Sequence, residues 1–199
     1  TELPALRYDN TYEAISTIIE QFTESPGTKI SQQINLTGNP RIVRDLAATI
    51  HASIQQWNNV HLHGLSLLKA ITQLKIDARY PEGLQYLCED LEKDCDKLDD
   101  IAFNLKQAAV QMNAVKSLHK GTNKLFQTWP TDRFARIAEQ ICEAYEKEAE
   151  IKRTVMENVA HDHRESWKML HLATWVHQTQ IPESVPTTLE SMLLETGHR

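Results

Sequence analysis

The stretch LQYLCEDLEKDCDKLDDIAFNLKQAAVQMNAVKSLH, residues 84–119, decides the fold. Leu84, Leu91, Leu98, Leu105 and Met112 recur every seven residues, and Leu87, Asp94, Ile101, Ala108 and Val115 take the second core position of the same heptad. A seam sustained over four or more heptads predicts a long helix, from near Pro81 to about His119, packed against other helices. Cys88, Cys95, Ala102 and Ala109 stand beside the seam, where a two-stranded coil would carry charge. These small or apolar residues widen the buried stripe to three positions in seven, so the helix should meet more than one neighbour, as in a bundle. Asp94 interrupts the seam. A carboxylate in a dry core is costly unless paired. Either the coil opens there, with Asp94 reaching the rim, or Asp94 makes a register-setting contact with a partner.

On the N-terminal side, Leu46, Ile50, Ile54, Trp57, His61, Gly64, Leu68 and Ile71 alternate at steps of three and four, which is one face of a long helix. Leu74 and Ala78 extend it, and Tyr80-Pro81 should end it, because proline disfavours helical geometry in the residue before it. Gly64 costs the helix ~1 kcal/mol relative to alanine and leaves a gap that a bulky partner side chain could fill. Farther back, Tyr12, Ile15, Ile18, Ile19 and Phe22 have the spacing of a short amphipathic helix. Pro26, Gly27, Gly38 and Pro40 then mark a linker. Ser25-Pro26 within it is a minimal proline-directed phosphorylation site. Residues 1–40 are therefore expected to form a short helix and flexible linker, and residues 41–120 a long helical hairpin or coiled coil.

On the C-terminal side, Gly121 is placed as a helix stop, and Phe126 and Trp129 bring apolar mass to a loop. Thr131 is expected to cap a helix running to about Ala160. Phe134, Ile137, Ile141, Tyr145, Val155 and Val159 form its buried face. Glu148 and Lys152 fall on the same line, inside a run of seven charges from Glu143 to Arg153 that reads as a solvated face with i,i+4 pairs. Asp162 with Glu165 suggests a capped helix in which Trp167, Leu170, Leu172, Trp175 and Val176 lie almost all round, so that helix should be well buried. Thr187 with Glu190 is a second capping box. It opens a terminal helix bearing Leu189, Met192, Leu193 and Leu194, with Gly197 as its stop. The fold expected is all-α: long antiparallel helices in a coiled-coil or helical bundle, with a short helical C-terminal module over residues 125–199.

The net charge of −6 and pI near 5.8 argue against a free-standing grip on nucleic acid. No apolar run approaches the ~18–20 residues of a membrane span, and no secretory leader is visible at the start. Three cysteines without a paired framework suggest a reducing compartment. His61 and His63 point to different faces of a helix, and His161 and His163 lack the further ligands of a metal site. Sequence distance alone leaves open a Cys142–histidine pair for thiol catalysis, but Cys142 lies beside an apolar stripe and reads as packing. Lys120-Gly121-Thr122-Asn123-Lys124 lacks the spacing of a phosphate loop. Arg44-Asp45-Leu46 matches the bare core of a cyclin-docking segment, yet Leu46 belongs to the buried stripe. No catalytic residue, cofactor or metal is expected. The side chains most suited to holding a partner are the seam residues Leu84, Leu91, Leu98, Ile101, Leu105 and Met112, together with Trp129, Trp175, Met192 and Leu193. The seam does not name its partner, so a homodimer is compatible with it.

Leu125-Phe126-Gln127-Thr128-Trp129-Pro130-Thr131, Lys152-Arg153-Thr154-Val155, Ala160-His161, Trp175-Val176-His177-Gln178 and Leu189–Arg199 stand in order and spacing. They resemble the C-terminal region of the cyclin-dependent kinase 2-interacting protein family. The resemblance covers about the last 75 residues and reaches weakly back through Trp57 and Leu74-Lys75-Ile76. It implies a non-enzymatic nuclear protein of DNA replication and checkpoint signalling, with a cytoplasmic share. The partners it implies are cyclin-dependent kinase 2, the Cdc7 kinase and the subunits of a chromatin-associated AAA+ ATPase complex. That complex acts on replisome proteins and in maturation of the large ribosomal subunit. The heptad seam would there pair with a coiled-coil co-subunit. The family pattern supplies no catalytic or ligand residues.

Overall fold

The computed structural model describes residues 36–119 and 124–198. The expected helix at Tyr12–Phe22, the Ser25 site and the Gly121 stop lie outside these residues. Five helices make up the described structure: α1 (Asn39–Leu74), α2 (Leu84–Leu118), α3 (Thr131–Val159), α4 (Glu165–His177) and α5 (Ser184–Glu195). The first three run up, down and up. The middle helix, α2, packs along both α1 and α3, while α4 and α5 lie on α1 and α3. The hairpin and the C-terminal helices belong to one compact unit, Asn35–His198.

The heptad seam holds this arrangement together. Leu84, Leu91, Leu98, Leu105 and Met112 are fully or almost fully buried, as are Cys95, Ala102 and Ala109 beside them. The widened stripe serves two neighbours, with polar ladders on its flanks. On the α3 side, Lys116 pairs with Asp132 at 2.6 Å, Asn113 donates to Glu139 at 2.6 Å and Lys106 pairs with Glu146 at 2.9 Å. Arg153 binds both Asp96 and Asp99. On the α1 side Asp94 is 1 % exposed. The coil does not open there, and no partner chain is needed: His63 Nδ1 lies 2.5 Å from one carboxylate oxygen and Lys97 Nζ donates to the other at 2.9 Å. Asp94 sets the register between two helices of its own chain.

Helix ends depart from sequence expectation where tertiary contacts intervene. α1 stops at Leu74, short of Ala78, because Lys75 leaves helical geometry and its ammonium donates to Arg79 O at 2.7 Å. The freed carbonyls of Thr72 and Lys75 accept from Lys168 Nζ, so a cation meets the negative end of the helix. Neither Thr131, Asp162 nor Thr187 caps a helix. Thr131 is the first residue of α3 after Pro130, Asp162 accepts from His171 Nε2 at 2.7 Å, and α5 begins at Ser184, with Pro186 tolerated in its first turn. The Gly197 stop is present. At φ +76 it lets His198 N–H donate to Leu193 O and its own N–H to Leu194 O, the Schellman pairing.

Candidate functional site

The ten residues expected to hold a partner all lie inside the chain. Leu84, Leu91, Leu98 and Met112 have no exposed surface, and Leu105 and Ile101 almost none. Their neighbours are α1 and α3, which occupy the seam that a coiled-coil partner was expected to fill. Trp129 is buried against Phe134, with Arg133 stacked 4.0 Å from its ring. Trp175, Met192 and Leu193 are buried where α4 and α5 meet the long helices. As folded, none of the ten offers a free surface.

Trp175 fills the gap at Gly64. A Cβ on Gly64 would overlap Trp175 Cζ2 outright and lie 3.2 Å from Cη2. The bulky group anticipated from sequence therefore comes from the same chain. The indole is held on every side. Its Nε1 donates to His61 O at 3.0 Å, its ring stacks on the His61 ring, and Lys152 Nζ sits 4.4 Å over it.

Lys152 and Glu148, expected on a solvated face, are completely buried. Lys152 Nζ donates to Trp175 O at 3.0 Å and to His61 Nδ1 at 3.1 Å, and lies 3.3 Å from Glu148 Oε1. Glu148 Oε1 has the Lys152 ammonium as its polar neighbour. Oε2 accepts from Gln180 N–H at 3.0 Å. Burial lowers the Lys152 pKa to about 8 against the opposing pull of Glu148, and burial raises that of Glu148. Burial, then the Lys152 charge, depress His61 well below its ordinary value, so it stays neutral and accepts at Nδ1. Trp57 completes the centre, donating from Nε1 to Gln178 Oε1 at 2.7 Å and meeting Tyr145 edge to face.

A second clasp closes the other end. The Glu195 carboxylate, at the end of α5, accepts from Thr128 N–H, Thr128 Oγ1 and Trp129 N–H at 2.6–2.9 Å. Burial alone would raise its pKa, but these bonds and nearby Lys124 outweigh it and hold the carboxyl below its usual range. The segments that carry the family resemblance thus meet in two places: Lys152, Trp175 and Gln178 at the buried centre, Thr128, Trp129 and Glu195 at the clasp. They determine how the C-terminal helices dock.

Cys142 and Cys95 are buried, and burial pushes their thiols up to about 11 and about 12, far from the thiolate that nucleophilic chemistry needs. Among the described residues no group of three or more His, Cys, Asp or Glu side chains is arranged to hold a metal ion. None of the described helices is long and apolar enough to cross a membrane. A cleft of about 320 Å³ between α3 and α5 has Ile141, Ala144 and Val185 on its walls and Glu143 and Lys147 at its rim. It contains no convergent set of reactive groups.

Exposed apolar side chains are the remaining candidates for contact. α4 is not buried all round. It turns Lys168, His171 and Trp175 inward, where their polar atoms find carbonyls or a carboxylate, and leaves Trp167 and Leu170 40 % and 52 % exposed. On α2, Phe103, Val110 and Leu118 are exposed. Sequence reasoning passed over them because they fall off the main heptad, although their own helical spacing was available as a signal.

No protein-family profile matches the chain. It is 31% identical to the cyclin-dependent kinase 2-interacting protein of Homo sapiens, over 87% of this chain and 96% of that protein. It is 28% identical to the protein of the same name from Mus musculus, over 82% and 92%, and 27% identical to that of Xenopus laevis, over 89% and 98%. The similarity extends well beyond the last 75 residues.

Proposed function

The chain belongs to the cyclin-dependent kinase 2-interacting protein family, and from that membership we propose that it is a non-enzymatic helical adaptor that binds cyclin-dependent kinase 2. The name its relatives share carries this reading. The geometry is in keeping with it. The internal seam is used up by the fold, so a partner would meet the outer faces of the bundle.

A finer reading rests on the resemblance at Leu125–Thr131 and Leu189–Arg199. In it the chain is a nuclear adaptor subunit of a chromatin-associated AAA+ ATPase complex, with a cytoplasmic share in maturation of the large ribosomal subunit, and Cdc7 is a further kinase partner. Native affinity purification of the full chain, with stoichiometric quantification of co-purifying proteins, separates the two. Cyclin-dependent kinase 2 at near-equal amount without ATPase subunits supports the first. ATPase subunits at fixed ratio support the second. Recovery of neither class refutes both.

A further inference from the structure

The two short helices are held in different ways. α5 buries four apolar side chains, Val185, Leu189, Met192 and Leu193, and is closed by the Glu195 clasp. The residues that α4 buries are Lys168, His171 and Trp175, of which one is apolar. Polar bonds tie α4 and the turn after it to the long helices. Lys168 Nζ donates to Thr72 O and Lys75 O, Lys152 Nζ to Trp175 O and Trp175 Nε1 to His61 O. Trp57 Nε1 donates to Gln178 Oε1, and Gln180 N–H to Glu148 Oε2. A helix of 13 residues is marginal by itself in water. A polar boundary opens short of global unfolding, because water replaces the bonds that are lost.

His61 is the pin of this attachment. It is 4 % exposed, its carbonyl holds the indole of Trp175, and its ring lies within 9° of parallel to that indole. Its Nδ1 accepts from Lys152 Nζ at 3.1 Å. An ammonium only donates, so the bond exists only while Nδ1 carries no proton. A proton there would break the bond and set two cations 3.1 Å apart in a dry site. We propose that α4 is an acid-releasable strap: proton uptake at His61 breaks its bond with Lys152 and frees α4 from α1 and α3, while α5 and the three long helices stay in place. Release bares the groove at Gly64 that Trp175 fills.

The groups around His61 set the direction. From α3 come Lys152, Glu148 and Tyr145, and from α2 Cys95. Burial keeps Tyr145 and Cys95 protonated, the thiol pushed up to about 12. Lys152, at about 8, is already charged in acid. α4 brings Lys168, bonded to the α1 carbonyls, and His171, whose pair with Asp162 lies within the strap and the turn before it. Glu148 opposes the effect, since burial raises its pKa and acid therefore favours its docked form. His61 is displaced farther: burial, then the Lys152 charge, hold it well below its ordinary value. A released His61 accepts a proton near 6.5, which a docked one refuses. Its support for docking is complete above about 6.5 and is lost as pH falls toward the docked value.

Hydrogen exchange of the full chain, read by mass spectrometry at about pH 7.5 and about pH 5.5 and divided by the intrinsic rate at each, gives the opening constant of every helix. His61 alone would raise that of α4 by ~10-fold over this range, and Glu148 offsets part of it, so a rise of at least ~3-fold is expected. α5 and the long helices should change less. His61→Asn keeps an acceptor for Lys152 and removes the titration, so α4 should then open no more in acid than at neutral pH. His171→Asn should keep the rise, and it tests the assignment even where His61→Asn fails to fold. No rise in the parent, a rise shared equally by the long helices, one that survives His61→Asn or one that disappears in His171→Asn overturns the proposal.

Discussion

On an exposed helix, replacing Gly64 by alanine would stabilise the chain by ~1 kcal/mol through helix propensity. In this structure the sign should reverse. The new methyl group falls on Trp175 Cζ2 and within 3.3 Å of Cε2, so the indole must move. It has nowhere to go: the side chain has no exposed surface, its nitrogen is bonded to His61 O, and Lys152 lies over its face. Overpacking a well-filled site costs about 1–3 kcal/mol, and loss of the indole hydrogen bond about 1 more. Set against the propensity gain, the net loss is about 2 kcal/mol. For a unit of this size that lowers the melting temperature by about 4–8 °C. Urea unfolding followed by circular dichroism at 222 nm measures it, and near-ultraviolet tryptophan signals report the displaced ring. In a Trp175→Leu background the same substitution should be neutral or stabilising, because the obstacle is gone. A Gly64→Ala protein as stable as the parent would refute the packing of Trp175 on Gly64.

The buried Lys152–Glu148 pair predicts a pH dependence. Lys152 has a folded pKa of about 8, below its ordinary 10.5, so the unfolded chain keeps a proton that the folded one sheds, and this group's contribution to stability rises as pH climbs above about 8. Between pH 7 and 9 the parent should gain about 1 kcal/mol relative to the apolar double variant Glu148→Leu/Lys152→Met, measured by urea unfolding at each pH; parallel pH profiles would contradict it. Glu195→Gln should loosen the α5 clasp by about 1–2 kcal/mol, seen as faster amide exchange at Thr128 and Trp129. In the parent the same loosening should appear in acid: the folded pKa of Glu195 is depressed, so its contribution is present above the ordinary carboxylate range and is lost as pH falls through the folded value. Leu105→Asp should abolish cooperative unfolding, since a carboxylate placed at a 1 % exposed site costs about 4 kcal/mol or more. If it stayed folded and lost only a partner, Leu105 would be an interface residue after all.

Periodicity determined the long helices, because a 3.6-residue repeat of apolar side chains has one economical burial and needs no knowledge of the neighbour. The α2 seam and the α1 stripe from Leu46 to Ile71 were legible for that reason, and the Gly197 stop because glycine takes a positive φ at a helix end without steric cost. The gap at Gly64 was legible as a vacancy, but its occupant, Trp175, was not, since the two are 111 positions apart. The resemblance segments were visible as a pattern, while their role in docking α4 and α5 appeared only when Glu195 was seen to bond Thr128 and Trp129. Charges misled most. Glu148 and Lys152 look solvated because sequence assigns ions to water, yet paired with each other and with Gln180, His61 and Trp175 O they can be dry. α4 turned its lysine and histidine inward for the same reason, since the carbonyls at the end of α1 and the Asp162 carboxylate were waiting for donors. Hydrophobic pattern is a property of neighbouring residues along a chain and can be read there. Whether a polar group finds its partner depends on atoms brought together from distant positions, and that only the tertiary structure decides.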